Sequence, residues 1–487
     1  MMNNADISIE DWLKEIEKDI EPTWKRLGFP APPATKTSYN EIGIIIIDDI
    51  AYHPAIHHLT QQVKQVKVNQ HLEVSCLDIM PADSKEASAK TEHGLMVLQL
   101  LAHQPITVNS HYHVGLIPSA QFIFLSEFEP QKIKVALQWI LQYKQEWNIR
   151  ILLNLMVPNT AEIGTIKPTS QDPFVQALSP AAASDLLVVA ANGNSKAHNN
   201  LHPADFFTIG GYDDKGTVQG ADQPYPAMPA GLNGDGHFRP DILAPCTYLP
   251  VPYLEQKSSE RMLSYFGGTC GAATIVAGAC ANLFSQYPDL TKEQLQAMFI
   301  HAADRLDDGG TFLPKLNMAN VLQQLLNNHR HMPMHKHNDI DDPAIQRAAS
   351  LTYLIEDGKV SRADLWGYLK DDSPIVRKVV IASGLASPQT AEERALYWEY
   401  AKRDPIETGE KLLWLYQLLK EADKHELDQW IDLLTLHELE ITLCVKLYLE
   451  TNYETAPEIV YLPDPSLVPK AIKPVLAWYQ EHSERKG

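Results

Sequence analysis

Between residues 37 and 328 short apolar runs alternate with stretches whose apolar residues return every three or four positions. That rhythm predicts strands and helices folded into a mostly parallel α/β sheet. Ile44-Ile45-Ile46-Ile47 is β-branched without polar alternation, as expected of a strand buried on both faces, and Val188–Ala191 reads the same way. Helices are expected after Gly94, Gln131 and Cys270, and another from Thr291, where Thr291 and Gln294 have capping-box spacing. Upstream, Ile9, Trp12, Leu13, Ile16 and Ile20 recur at helical spacing, predicting one helix capped by Ser8 and ended by Gly28. Pro30, Pro32 and Pro33 then form a stiff connector, so residues 1–36 are expected to pack on the next domain as an extension.

Beyond Asp342 the pattern is helical throughout, defining an all-α domain at 343–487. Pro343-Ala-Ile-Gln-Arg-Ala-Ala349 is echoed 31 residues later by Pro374-Ile-Val-Arg-Lys-Val-Val380, each a Pro opening an amphipathic helix with Arg on its polar face. The echo resembles HEAT-type helical hairpins, whose stacked pairs present a contact surface. An unrelated helical bundle accounts for the same two copies. Residues 329–342 read as a linker, in which His329, His331, His335 and His337 surround Met332, Pro333 and Met334. Imidazoles are good metal ligands, but the preferred reading is a linker with incidental histidines.

Composition narrows the function. A chain of 487 residues exceeds one ordinary core, and 45% apolar with 21% charged residues is the balance of a soluble globular protein. A formal charge of −20 with no basic stripe excludes nucleic acid as a partner. Met1 to Glu10 lacks the charged-then-apolar pattern of a secretory signal, and no apolar run reads as long enough to cross a bilayer. Cys76, Cys246, Cys270, Cys280 and Cys444 are odd in number, scattered and without paired metal-ligand spacing. The expectation is a cytoplasmic protein with free thiols, no membrane partner and no cofactor.

Four segments carry candidate chemistry. Asp48-Asp49 stands at the carboxyl end of the Ile44–Ile47 strand, where functional side chains emerge from open α/β sheets. Glu92-His93-Gly94 opens an apolar helix, with imidazole at its N-terminus and a Gly that permits close packing. Val188-Val-Ala-Ala-Asn-Gly-Asn194 runs a buried strand into a Gly-Asn turn able to present an amide to a developing oxyanion, and Pro203-Ala204 and Arg239-Pro-Asp-Ile-Leu-Ala-Pro245 follow it. Phe266-Gly-Gly-Thr-Cys270-Gly-Ala-Ala-Thr274 surrounds a nucleophile candidate with small residues at a helix start, where the free N–H groups favour a thiolate. Each segment alone has an ordinary structural explanation: a turn Asp, a packed His, a Gly-Asn turn, a buried inert Cys.

In this order, however, the four segments resemble the subtilase (subtilisin-like) family over roughly residues 40–305. The resemblance implies a mostly parallel central sheet with helices on both sides. It also implies Asp48 as the orienting carboxylate, in preference to Asp49, His93 as general base and acid, and Asn194 as side-chain oxyanion donor. Cys270 falls on the family's nucleophilic serine, with its backbone N–H as second donor. The implied partner is a protein or peptide substrate. Calcium, carried by many subtilases, is not located by any residue pattern.

The sequence also departs from the family. With sulfur at position 270, acylation gives a thioester, and a thiol beside an imidazole and a helix N-terminus favours a Cys270–His93 ion pair. Cys270 is read as a natural nucleophile, as a replacement of Ser, or as the mark of a degenerate site. Keeping Asp48, His93 and Asn194 argues against the last. Thr274 stands where the family has Pro, a change that alters the helix start and fits a larger sulfur. A thioester also favours attack by amines, so peptide-bond formation is a conceivable side activity. Leu153-Asn154-Leu-Met-Val-Pro158-Asn159 aligns with a substrate-binding stretch in which Pro158 replaces a Gly donor. Either the alignment slips there, or extended peptides bind with fewer backbone hydrogen bonds. Asn192 is expected near the specificity pocket.

The expected function is an intracellular endopeptidase cleaving a specific protein. The helical domain would recruit its substrate or regulator. The rivals are an inactive subtilase-fold binding scaffold and a serine peptidase carrying Cys in place of Ser.

Overall fold

The computed structural model of the chain describes residues 9–30, 41–79, 89–157, 172–197, 202–234, 237–252, 262–308, 311–326, 343–403, 408–459 and 467–484. Ser8, Pro32, Pro33, Pro158 and the histidines at 329–337 lie outside the described residues.

Across the main sheet the strands lie in the order Asp304–Asp308, Thr311–Lys315, Ile242–Pro245, Phe207–Asp213, Leu187–Ala191, Ile149–Asn154, Gly43–Ile47, Gln121–Leu125, Val63–Val68 and Val74–Asp78. All neighbours from Thr311–Lys315 to Val63–Val68 run parallel; the two outermost strands, and the short Gln223–Pro224 beside Phe207–Asp213, are antiparallel. The first strand sits mid-sheet, with the chain going one way to 63 and 121 and then the other way through 149, 187 and 207. Such a reversal opens a crevice at the carboxyl ends of the central strands.

The Ile run explains why that first strand is central. Ile44 and Ile46 enter the apolar layer on one face, with helices Ala89–Ala102 and Gly268–Gln286. Ile45 and Ile47 enter the layer on the other, with helices Pro130–Ile140 and Pro173–Ala183. A strand with two buried faces has no position for a polar residue. Thr291 caps helix Lys292–His301 with Gln294 in the predicted box.

Two expectations are corrected. The N-terminal helix is not continuous: Ile9–Ile16 and Thr23–Arg26 are separate, because Pro22 lacks the N–H needed to continue the first helix and instead caps the second. The intervening turn is occupied elsewhere, since Glu17 accepts Leu263 N–H at 3.0 Å and Glu21 N–H bonds Gly216 at 2.9 Å. Arg26 then reaches Asp214 (2.6 Å) and the carbonyls of Thr247 (2.7 Å) and Tyr248 (2.8 Å), all buried. The second correction concerns apolar length. Helix Gly268–Gln286 is long and apolar enough to cross a membrane, but 89% of its apolar window is buried inside the domain as a core helix.

Residues 343–484 are helical wherever described beyond turns and loops, with a separate apolar core around Trp414, Trp430, Tyr397 and Tyr448. Arg362 pairs with Glu393, Arg377 with Glu410 and Arg394 with Glu426, each through two hydrogen bonds and each spanning 31 to 33 residues. The same two-pronged tie therefore recurs on three successive helices, Arg362–Tyr368, Pro374–Ser383 and Ala391–Lys402.

Candidate functional site

Asp48 leaves the end of the Ile run with its Oδ1 fixed by the Asp49 N–H at 2.9 Å, which turns Oδ2 outward. There it meets His93 Nδ1 at 2.6 Å. Asp49 faces elsewhere, accepting from Gln65 at 3.1 Å and from the Ile50 N–H at 3.0 Å. Gly94 makes the approach of the two elements possible. A Cβ there would lie 2.1 Å from the Asp49 carbonyl oxygen, so any side chain would push the helix and His93 away from Asp48.

Cys270, at the start of helix Gly268–Gln286, lies close enough to the imidazole to act on its charge. Phe266 stacks edge-on against the imidazole at 5.0 Å and limits its rotation. Burial pushes His93 down, but the hydrogen bonds to Asp48 and Cys270 and their charges outweigh it, and the pKa is raised to about 10. Cys270 is half-buried, and its thiol also points at the Leu155 carbonyl, 3.6 Å away. Imidazole and carboxylate are thus paired, with the thiol in their electrostatic neighbourhood.

The turn after strand Leu187–Ala191 sits beside this group and is held by Thr269. The Thr269 N–H donates to Asn194 Oδ1 at 2.8 Å, its hydroxyl donates to the same oxygen at 3.1 Å, and it accepts the Gly193 N–H at 3.1 Å. Oδ1 is therefore the acceptor, which leaves Nδ2 as the half of the carboxamide that can donate to an oxyanion. Gly268, at φ +73°, has no room for a Cβ, which would stand 2.9 Å from Asn194 Oδ1. Cys270 is the third residue of its helix, where backbone N–H groups have no intrahelical acceptor. Thr274 donates its hydroxyl to the Cys270 carbonyl at 2.7 Å.

The Arg239-Pro-Asp segment braces this turn from behind. Arg239 is fully buried, pairs with Asp241, and donates to the carbonyls of His202 (3.2 Å) and Pro203 (2.6 Å). His202 then bonds the Ala191 carbonyl at 2.8 Å, immediately before the turn. Asn192 is buried and tied to the Pro229 carbonyl. Asn154 closes its own strand end by bonding Met156 at 3.1 Å both ways. Among the described residues, no group of three or more His, Cys, Asp or Glu side chains is arranged to hold a metal ion.

Sequence reading missed the positioning work of Thr269, although it lies within a quoted motif, because hydroxyl and N–H act on a residue 75 positions away. It also missed Glu440, which accepts the Lys196 N–H at 3.2 Å from 244 residues downstream. No local signal marks either.

A parallel α/β domain that brings a paired imidazole and carboxylate near a thiol, an amide and a helix terminus holds the parts an acyl-transfer hydrolase site needs. The subtilase family profile matches residues 43–325, more than half of the chain, and the chain belongs to the subtilase family. It is 30% identical over 153 residues to serine protease AprX of Bacillus subtilis (strain 168), a match spanning 28% of this chain and 35% of that protein. Among solved structures, it is similar to a mutant of the protease domain of PatA, with 17% identity and a TM-score of 0.43 over 60% of this chain and 99% of that one. Sphericase is similar at 15% identity and a TM-score of 0.42, over 58% and 88%.

Proposed function

We propose that this chain is an endopeptidase that cleaves a protein substrate through Cys270, His93 and Asp48, by way of a thioester. The observation that carries this reading is the 2.6 Å contact of His93 with Asp48, in a ring whose charge the half-buried Cys270 also favours. His93 already holds the thiol proton as imidazolium, and the thiolate attacks the scissile carbonyl carbon. The oxyanion is met by the Cys270 N–H and Asn194 Nδ2. His93 passes its proton to the leaving amine, then draws a proton from the water that hydrolyses the thioester. Asp48 keeps the imidazole in the tautomer this requires. Working through a thiol fits a reducing compartment such as the cytoplasm, and all five cysteines are unpaired. The helical region is proposed to recruit the substrate or a regulator through stacked, HEAT-like hairpins.

Alkylation with iodoacetamide, read by mass mapping, tests the site. Cys246, Cys280 and Cys444 are buried, so the competitor is the half-buried Cys76. Cys270 should label ahead of Cys76 and slow in His93→Ala, and Cys270→Ala should abolish peptide hydrolysis. Labelling no faster than Cys76, with no peptide hydrolysis by wild type, would leave the fold as a binding scaffold. A large rise in turnover in Cys270→Ser would make serine the natural nucleophile.

A further inference from the structure

The residues that follow Asn194 are gripped by the helical region. The Lys196 N–H points between the two carboxylate oxygens of Glu440, at 3.2 and 3.5 Å, and Glu440 is buried in helix Leu439–Asn452. Ser195 Oγ accepts the Ala197 N–H at 3.2 Å, with Glu440 and Tyr416 close beside it. Ala197 is 1% exposed and counts among the apolar core of the helices, not of the sheet. Gly409 presses on the Lys196 carbonyl so closely that a Cβ would lie 2.1 Å from its oxygen. One backbone stretch thus meets the helical region at its N–H, its C=O and its methyl side chain.

Asn194 lies between two anchors: Thr269 on its carboxamide, and the helices two residues further on. We propose that the helical region is a built-in part of the oxyanion hole, with Glu440 and Gly409 as positioning residues that set where Asn194 presents its amide. This rests on the peptidase reading above. A displacement of the helices by a bound partner would then act on catalysis directly, through a shift of residues 195–197, and not only by delivering substrate.

The test uses the full chain and a short peptide too small to reach the helices. Gly409→Ala must move the Lys196 carbonyl, and a misplacement near 1 Å costs up to about 100-fold in rate. Its kcat should fall by roughly 10- to 100-fold with KM little changed. Gly367→Ala, in the same region with nothing within 4 Å of its added Cβ, should behave as wild type. Glu440→Ala should also lose kcat, and Glu440→Gln, which keeps an acceptor for the Lys196 N–H, should restore most of it. Iodoacetamide forms no oxyanion, so alkylation of Cys270 should proceed at the wild-type rate in Gly409→Ala. A peptide aldehyde, whose adduct puts oxygen in the hole, should bind more weakly. Wild-type kcat in both Gly409→Ala and Glu440→Ala overturns the proposal, as does a parallel fall in alkylation, which would mean general damage. A wild-type chain that alkylates at Cys270 yet hydrolyses no peptide overturns the peptidase reading, and this proposal with it.

Discussion

Thr269 holds Asn194 Oδ1 with two donors, its N–H at 2.8 Å and its hydroxyl at 3.1 Å. The same hydroxyl accepts the Gly193 N–H, so one side chain orients both the carboxamide and the turn that carries it. Thr269→Val keeps the shape and the N–H anchor but removes the hydroxyl. Losing an oxyanion donor outright costs about 10²–10³ in kcat; loosening one should cost less, roughly tenfold. Thr269→Ser should recover the loss. Steady-state kinetics on a peptide check this, and an unchanged kcat in Thr269→Val would mean that the hydroxyl does no positioning of Asn194.

His93 carries the pH dependence. Its pKa is raised to about 10 from an ordinary 6.5, so the imidazolium form is favoured by folding. The stabilisation is full below pH 6.5 and is lost as the pH rises to about 10. The unfolding free energy of wild type should therefore exceed that of His93→Gln most below pH 6.5, and the gap should close toward pH 10. Asp48→Asn should bring the titration of the His93 ring, followed by NMR, back toward neutral pH. A ring that titrates near 6.5 in wild type would contradict the charge environment described here.

Much of this arrangement was legible in the sequence, and the limits are physical. Ile44–Ile47 announced a central strand because a doubly buried strand tolerates no polar position. Asp48, Asn194 and Cys270 stood out because each sits where a strand ends or a helix begins, and there the sequence signals of capping, small residues and turns are strong. His93 was expected to open its helix, but that helix already runs from Ala89 and His93 is its fifth residue, because Gly94 marks close packing on Asp49 and not a helix start. What stayed hidden depends on contacts between distant segments. Arg26 gives no sign that it meets Asp214, 188 residues away, and Lys196 gives none that it meets Glu440. The predicted single N-terminal helix failed because periodicity at Ile16 and Ile20 outweighed the effect of Pro22 on the backbone between them. The recurring Arg in the helical region was visible at Arg347 and Arg377, but their acceptors, Asp371 and Glu410, were not.

The Arg26–Asp214 pair ties the N-terminal extension to the domain of the site. Both side chains are almost wholly buried, at 1% and 4% exposed. Removing one partner of such a pair leaves an uncompensated charge and costs about 3–5 kcal/mol. Arg26→Ala should lower the denaturant midpoint accordingly. The double replacement Arg26→Met with Asp214→Leu should recover part of the loss, since removing both charges also removes the desolvation penalty. A midpoint unmoved in Arg26→Ala would show that the extension is not bound to the domain in solution.

Glu440 makes the grip on residues 195–197 sensitive to pH. Burial raises its pKa to about 7; the Ser195 and Lys196 hydrogen bonds and the Lys196 charge oppose the shift, while Glu438 adds to it. Tyr416 and Cys444 face the same pocket, and both are themselves raised by burial, so neither is charged near neutral pH. A carboxyl whose folded pKa lies above its unfolded value stabilises fully below the unfolded value, and the benefit disappears as pH rises through the folded one. Relative to Glu440→Gln, wild type should therefore lose stability between pH 4.5 and about 7, and the curves should run parallel above that. Denaturant unfolding at stepped pH checks the sign. Parallel curves throughout would mean that Glu440 is solvated, with its hold on Lys196 correspondingly weak. A wild-type curve that instead rises through this window would make the ionised carboxylate a net stabiliser, the outcome expected only if Ser195 and Lys196 outweigh its burial.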